Sequence, residues 1–271
     1  MHSVHPSAST LPTDIGGVIV VHSMFRREVR LAGDLVRRVE PGDTRRSGVV
    51  AHHLDLIGRC LHHHHVIEDE LVWPLVLARA SNDVAPTVEL MESQHDVVAT
   101  LLDRIEPRRA RWAETADASG RDELAALYER LAVALVDHLD DEETRALPIA
   151  AECLSQSEWD SLGDAGRRGT PRSERTLVFG MMQYDGDPRV VATMLGSAPK
   201  PVRVLLPWLA RRAFRRHSWP STALPSRDRA ARGCRPPDVF GVSVLASGRT
   251  SGARRGRLLW RDRVGRGLTP R

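Results

Sequence analysis

Apolar residues recur at helical spacing through four long stretches of the first 150 residues. In the first, Ile15, Val18, Ile19, His22, Phe25 and Val29 share one face, with Thr13 or Asp14 as N-cap and the Pro41-Gly42 break as its end. The second starts near Asp43 or Thr44 and runs to about Arg79, with Pro74 kinking or ending its main run. The third opens around Pro86, a favourable first-turn position, and reaches about Glu106 ahead of Pro107. The fourth runs from about Arg121 to Leu147, ahead of Pro148. Short connections make sequential helices antiparallel neighbours. Residues 12–150 therefore predict an all-α fold, an up-down-up-down four-helix bundle.

Residues 151–216 read as shorter helices packed on that bundle. Ser155-Gln156-Ser157-Glu158 is a capping box, and Asp187-Pro188 is an N-cap followed by proline at the first helical position. A last helix, Pro201 to about Arg216, gathers Val204, Leu205, Trp208 and Leu209 on one side. From His217 onward Pro, Gly, Ser and Arg dominate without periodicity, which predicts a disordered basic tail over 217–271.

Composition sharpens this division. A hydrophobic share of 41% beside 27% charged residues is that of a globular chain, and only 4% aromatic residues leaves a core of Leu, Val, Ala and Ile. The net charge of +4 hides two unlike parts: residues 211–271 hold 16 Arg against three acids, so residues 1–210 are net −9. Cys60, Cys153 and Cys234 are widely spaced and form no framework, which points to a reducing compartment. The apolar run at 15–21 is too short to span a bilayer. The cytoplasm is the expected location.

The chemistry lies in an internal repeat. His64-His65-Val66-Ile67-Glu68 leads to Trp73-Pro74, and His138-Leu139-Asp140-Asp141-Glu142 leads to Leu147-Pro148, at a constant offset of 74 residues. His22 and His95 keep nearly the same step. A His and a Glu four apart point the same way, as two ligands of one metal must. Each of these histidines also sits on an apolar stripe. His22 is flanked by Val18, Ile19, Phe25 and Val29, and His95 by Val88, Met91, Val98 and Leu102. His138 is flanked by Leu131, Leu135 and Glu142, and His64 by Ile57, Glu68, Leu71 and Leu75. Burying four histidines and two carboxylates without partners would be very costly. One or two metal ions would satisfy them together. The metal set is therefore His22, His64, Glu68, His95, His138 and Glu142, and imidazole with carboxylate suits iron, manganese or zinc less distinctively.

Other readings compete at single positions. A lone His on an apolar face is commonly structural, and His65 with Asp69 repeats the spacing of His64 with Glu68; register with the second copy selects His64. His62, His63 and His65 are then left to support or surface roles, and His52 and His53 to bland ones. Glu92-Ser93-Gln94-His95 matches the Glu-x-x-His of ferritin-like carboxylate proteins, but Leu61 and Leu135 stand where second copies would need Glu. Trp73-Pro74 and Leu147-Pro148 read as an apolar plug and a helix stop. No Gly-rich phosphate loop or nucleophile elbow is present, which excludes those routes to nucleotide and serine chemistry.

These residues resemble the hemerythrin-like proteins, specifically the bacterial hemerythrin HHE cation-binding domains. The resemblance is carried by His22, His64 to Glu68 with Trp73-Pro74, Gln94-His95, and His138 to Glu142 with Leu147-Pro148, over roughly residues 12–150. The region from Trp159 through Phe179-Gly180-Met181-Met182 looks like the C-terminal extension of actinobacterial members. The resemblance implies a non-haem di-iron centre between four helices, with bridging carboxylates and room for O₂, peroxide or nitric oxide. The oxygen carriers have a second His four after the one on the third helix, where this chain has Ala99, and end with His and Asp five apart. Here the last pair is His138 and Glu142, with Glu143 at the five-residue spacing. With one His fewer, sensing, peroxide breakdown or oxidase-like chemistry stands beside oxygen binding, and iron buffering is a third class. The expected partner is a small diatomic or peroxide ligand. Neither nucleic acid nor membrane is expected, since only Phe240 and Trp260 could stack within residues 221–271.

Overall fold

The computed structural model describes residues 12–80, 83–196 and 198–217. Apart from His217, the basic tail lies outside the described residues. Among those described, every regular element is helical. The first five are α1 (Gly16–Arg37), α2 (Thr44–Ile67), α3 (Trp73–Arg79), α4 (Ala85–Thr115) and α5 (Ala118–Asp141). Next come α6 (Leu147–Cys153), α7 (Gln156–Gly169), α8 (Arg172–Asp185), α9 (Pro188–Met194) and α10 (Lys200–His217).

Local chemistry sets the ends. Asp43 caps α2 by accepting the Arg46 N–H at 2.9 Å, and Asp117 caps α5 by accepting the Gly120 N–H at 2.7 Å. At α1 the two expected caps divide the work. The Asp14 carboxylate accepts the Gly16 N–H at 2.8 Å, while Thr13 ties the chain start to α6 by donating to the Ala151 and Leu154 carbonyls. The Ser155–Glu158 capping box is formed in both directions.

α1 packs against α2 and α5, and α4 packs against the same two, so the four long helices form a closed helical bundle. Met24, Phe25, Leu61, Met91, Val98, Leu131, Leu135 and Leu139 fill it and are essentially fully buried. Burial of each such side chain contributes about 1.5–3 kcal/mol.

The expectations at Pro107 and Pro148 need correction, while the second helix runs past Pro74 to Arg79 as expected. α4 does not end at Glu106 but runs through Pro107 to Thr115. Pro107 and Asp103, one turn before it, both face solvent. Trp112 is buried beyond them, and Arg109 bonds Asp55 and the Ala51 carbonyl, so tertiary anchors outweigh the proline penalty. At Pro74 and Pro148 the helices also continue. Each absorbs its proline in a π-helical turn, Glu68–Val72 and Glu142–Ala146, in which the Trp73 and Leu147 N–H groups reach back five residues to the Glu68 and Glu142 carbonyls.

The later helices lie on the bundle's flank: α7 against α2, and α8 and α9 against α1. Arg59 pairs with Glu174, and Arg79 with Glu158. α10 touches α8 at Gly180, where an added Cβ would collide with the Ala210 carbonyl oxygen, so only glycine permits the approach. Phe214 extends the contact, its ring 5.2 Å from that of Tyr184. The contact uses the Ala210–Phe214 side of α10. Consequently Val204, Leu205, Trp208 and Leu209, expected on the packed side, are exposed.

Candidate metal centre

The π turns bear directly on the site, because each begins at a glutamate of the repeat. One extra residue in the turn rotates the side chains beyond it, so Leu71, expected on the stripe of His64, is 43% exposed while Glu68 stays buried. The second copy behaves alike, with Glu142 fully buried at the head of its turn. Such turns inside α-helices recur at functional sites.

All six sequence-expected residues meet at the centre of the bundle, together with a seventh. His22, His64, Glu68 and Glu142 form one group; His65, Glu68, His95 and His138 form another. Within each, one ligand atom per residue lies within 4.8 Å of every other. Glu68 Oε1 is 3.1 Å from His64 Nε2 and its Oε2 is 3.6 Å from His95 Nε2, so this carboxylate spans both groups. Glu142 Oε2 is 3.4 Å from His22 Nε2 and 3.5 Å from His138 Nε2, and does the same. His22 Nε2 and His64 Nε2 are 3.1 Å apart.

Register selects His64 over His65, yet both turn into the bundle, one toward each group. Successive residues on a helix point about 100° apart. α2 stands at a corner of the bundle, so His64 turns toward His22 and Phe25 of α1 while His65 turns toward α4 and α5. The His65 ring stacks on His95 at 4.1 Å and meets His138 edge-on at 4.9 Å. While α4 has Ala99 one turn after His95, the second imidazole beside His95 comes from α2. The adjacent pair His64-His65 is the available signal.

Several buried atoms here have no hydrogen-bond partner among the described residues: Nε2 of His65, His95 and His138, Oε2 of Glu68, and both carboxylate oxygens of Glu142. Buried polar atoms are nearly always satisfied. Burial first, then the charges of Glu142 and Asp69, pushes the Glu68 carboxyl well above its ordinary range. Burial and the neighbouring imidazoles hold His64 and His65 well below theirs, and His138 down at about 2. Neutral imidazoles facing mutually repelling carboxylates are a donor set suited to divalent cations.

Around this set, further side chains fix the rings. Asp69 Oδ1 accepts from His95 Nδ1 at 2.8 Å, and Glu143 Oε1 accepts from His22 Nδ1 at 2.9 Å. Gln94 Oε1 accepts from His138 Nδ1 at 3.2 Å, its amide donating to Asp141 at 2.8 Å. A proton held at Nδ1 leaves each Nε2 lone pair aimed inward. Asp69 and Glu143, which spacing offers as substitute ligands, are instead the partners of the rings. Burial alone would raise Glu143, but hydrogen bonds from His22 and Arg26 hold it at about 2, with Arg26 at 2.6 Å. Asp69 and Glu143 keep the 74-residue offset, so the repeat extends to the supporting groups.

Other sequence candidates fall outside. Glu92 is half-buried and in neither group. His63 donates to the Ala165 carbonyl of α7 at 3.3 Å, and His52 is exposed. His53, expected to be bland, is buried against Glu28 at 3.1 Å.

Residues 17–150 match the family model described as Hemerythrin HHE cation binding domain. No curated protein and no solved structure gives a significant match to the chain. The matched segment covers the four long helices and all seven converging side chains, and with it the chain belongs to the hemerythrin HHE cation-binding domain family.

Proposed function

We propose that the seven side chains hold two iron ions, and that the pair binds or senses O₂ or a related small oxidant, peroxide or nitric oxide. His65, His95 and His138 would hold one ion and His22 and His64 the other, with Glu68 and Glu142 shared between them. The observation that carries this reading is the convergence of unpartnered buried nitrogens and oxygens on one place in the bundle. Iron is favoured over manganese or zinc because the donors mix imidazole with carboxylate. A bound iron pair would supply redox electrons and coordination positions for the oxidant.

The chain's own groups do the rest. Asp69, Glu143 and Gln94 keep protons on the outer ring nitrogens, so the inner ones stay free to ligate. Phe25, buried with its ring 5.4 Å from that of His64, makes an apolar wall on that side. The His22–His64 side has one nitrogen donor fewer, and we assign the oxidant to it. The setting we propose is cytoplasmic, in an up-down-up-down bundle. Among the described residues no helix is long and apolar enough to cross a membrane.

The test is titration of the iron-loaded protein with O₂, peroxide and nitric oxide under an optical readout. A stoichiometric spectral change without turnover is the expected result. Steady peroxide consumption with oxygen release in proportion to iron content would make the protein a peroxide-removing enzyme instead. Metal exchange with no response to any of the three would leave iron buffering.

A further inference from the structure

Half of the large apolar side chains that are exposed among the described residues fall within eight residues of α10: Val202, Val204, Leu205, Trp208 and Leu209, exposed by 40 to 74%. The others, such as Val49, Val97 and Val133, are scattered singly over the bundle helices. Isolated exposed apolar residues are ordinary, whereas a contiguous set marks an interaction surface. α10 is held to α8 by the Gly180–Ala210 approach and by Phe214, which commits its opposite side to the outside.

Charge says what that side fits. Residues 200–214 contain Lys200, Arg203, Arg211 and Arg212, all exposed, and no acid. The Arg212 guanidinium lies 5.8 Å from the centre of the Trp208 ring, so tryptophan stands where the apolar turns meet the cationic one. The chain then continues with 14 Arg against three Asp over residues 215–271. A patch of Val and Leu, a bordering Trp and unopposed cations is complementary to a bilayer surface carrying anionic headgroups. The apolar side chains enter the acyl boundary, tryptophan sits at headgroup level, and arginines keep their heads among the phosphates. Nucleic acid would leave the aliphatic patch without a partner.

We infer that the outward face of α10, centred on Leu205 and Trp208, docks the protein on anionic lipid membranes. The composition of the Arg-rich tail by itself leads to no expected membrane partner; the structure adds an apolar side of α10 turned outward. The docking is peripheral.

The test is co-sedimentation of the full, metal-loaded chain with phosphatidylcholine vesicles and with vesicles containing phosphatidylglycerol, at low and high salt. Binding to the anionic vesicles, weakened by salt, is expected, with little binding to phosphatidylcholine alone. The double substitution L205E/W208E should lower the partition coefficient by about tenfold or more. Its helicity and metal content should match the wild type, because both side chains point outward. L205S/W208S, which adds no charge, should lower binding in the same direction. The inference would be overturned by no binding to anionic vesicles, by wild-type binding of both variants, which would assign attraction to the arginines of 215–271 alone, or by a dimer in light scattering that L205E/W208E dissociates, which would make the face a contact between copies. Competition by duplex DNA that is insensitive to both variants would also overturn it.

Discussion

The helices α1 and α2 bury two polar clusters, and the two are finished in opposite ways. In one, Glu28 accepts from His53 at 3.1 Å and from Arg27 at 2.5 Å, and Arg27 goes on to Asp185 and the Met181 carbonyl of α8. Burial alone would raise the Glu28 carboxyl, but those partners hold it at about 2. That cluster is closed. In the other, His64, His65 and their neighbours turn buried nitrogens and oxygens toward one another with donors and acceptors left over. A cluster whose groups satisfy each other acts in stability; a cluster left open, with its rings braced from outside by Asp69, Glu143 and Gln94, is built for something that arrives later. The contrast is one of hydrogen-bond completion, since Glu28 and His53 are about as buried as the glutamates and histidines of the open cluster.

Breaking the open cluster should have the largest effect. E68A/E142A removes both shared carboxylates and should abolish iron binding, with loss of about 4 kcal/mol of ligand-linked stability at free iron a thousandfold above Kd, read from melting curves with and without chelator. H65A should lose one of the two ions, measured as iron per chain. In the chelated protein the sign reverses: E68Q should melt above the wild type at pH 7, because one of two facing buried carboxylates is gone.

The closed cluster should respond the other way. E28Q should cost about 3 kcal/mol of stability, from denaturant titration, and leave iron content unchanged. The pH dependence comes from a carboxyl held below its ordinary value. Its stabilisation is fully present above the unfolded value of 4.5 and is lost as pH falls toward about 2. The wild type should therefore lose this advantage over E28Q between those limits. Smaller still, D69N and E143Q should weaken iron affinity about 10- to 100-fold each, measured by competition with a chelator, while the fold is retained. Least of all, E92Q should leave iron content unchanged and shift stability by less than about 0.5 kcal/mol.

The centre is legible in the sequence because a metal site of this kind repeats. A fixed offset and helical spacing pick out His22, His95, His64 with Glu68 and His138 with Glu142, and four apolar periodicities pick out the bundle. The rest is set by geometry that periodicity does not encode. His65 escapes because register asks which one of two neighbours faces inward, while a helix at a bundle corner can turn both inward. The helices' passage beyond Pro74 and Pro148 depends on π turns, and beyond Pro107 on Trp112 and Arg109. Glu28 carries no sequence signal, since its partners are His53 of a second helix and Arg27, which in turn reaches Asp185 of a third. The apolar side of α10 is plain in the sequence, but its outward direction depends on the small-residue contact of Gly180 with Ala210.

Whether seven side chains hold a pair of iron ions is tested most directly by anaerobic iron titration followed by metal analysis and an optical spectrum. Two irons per wild-type chain with a near-ultraviolet charge-transfer band are expected, with one iron in H65A and neither iron nor band in E68A/E142A. No bound iron in the wild type, or two irons retained when both glutamates are gone, would contradict it.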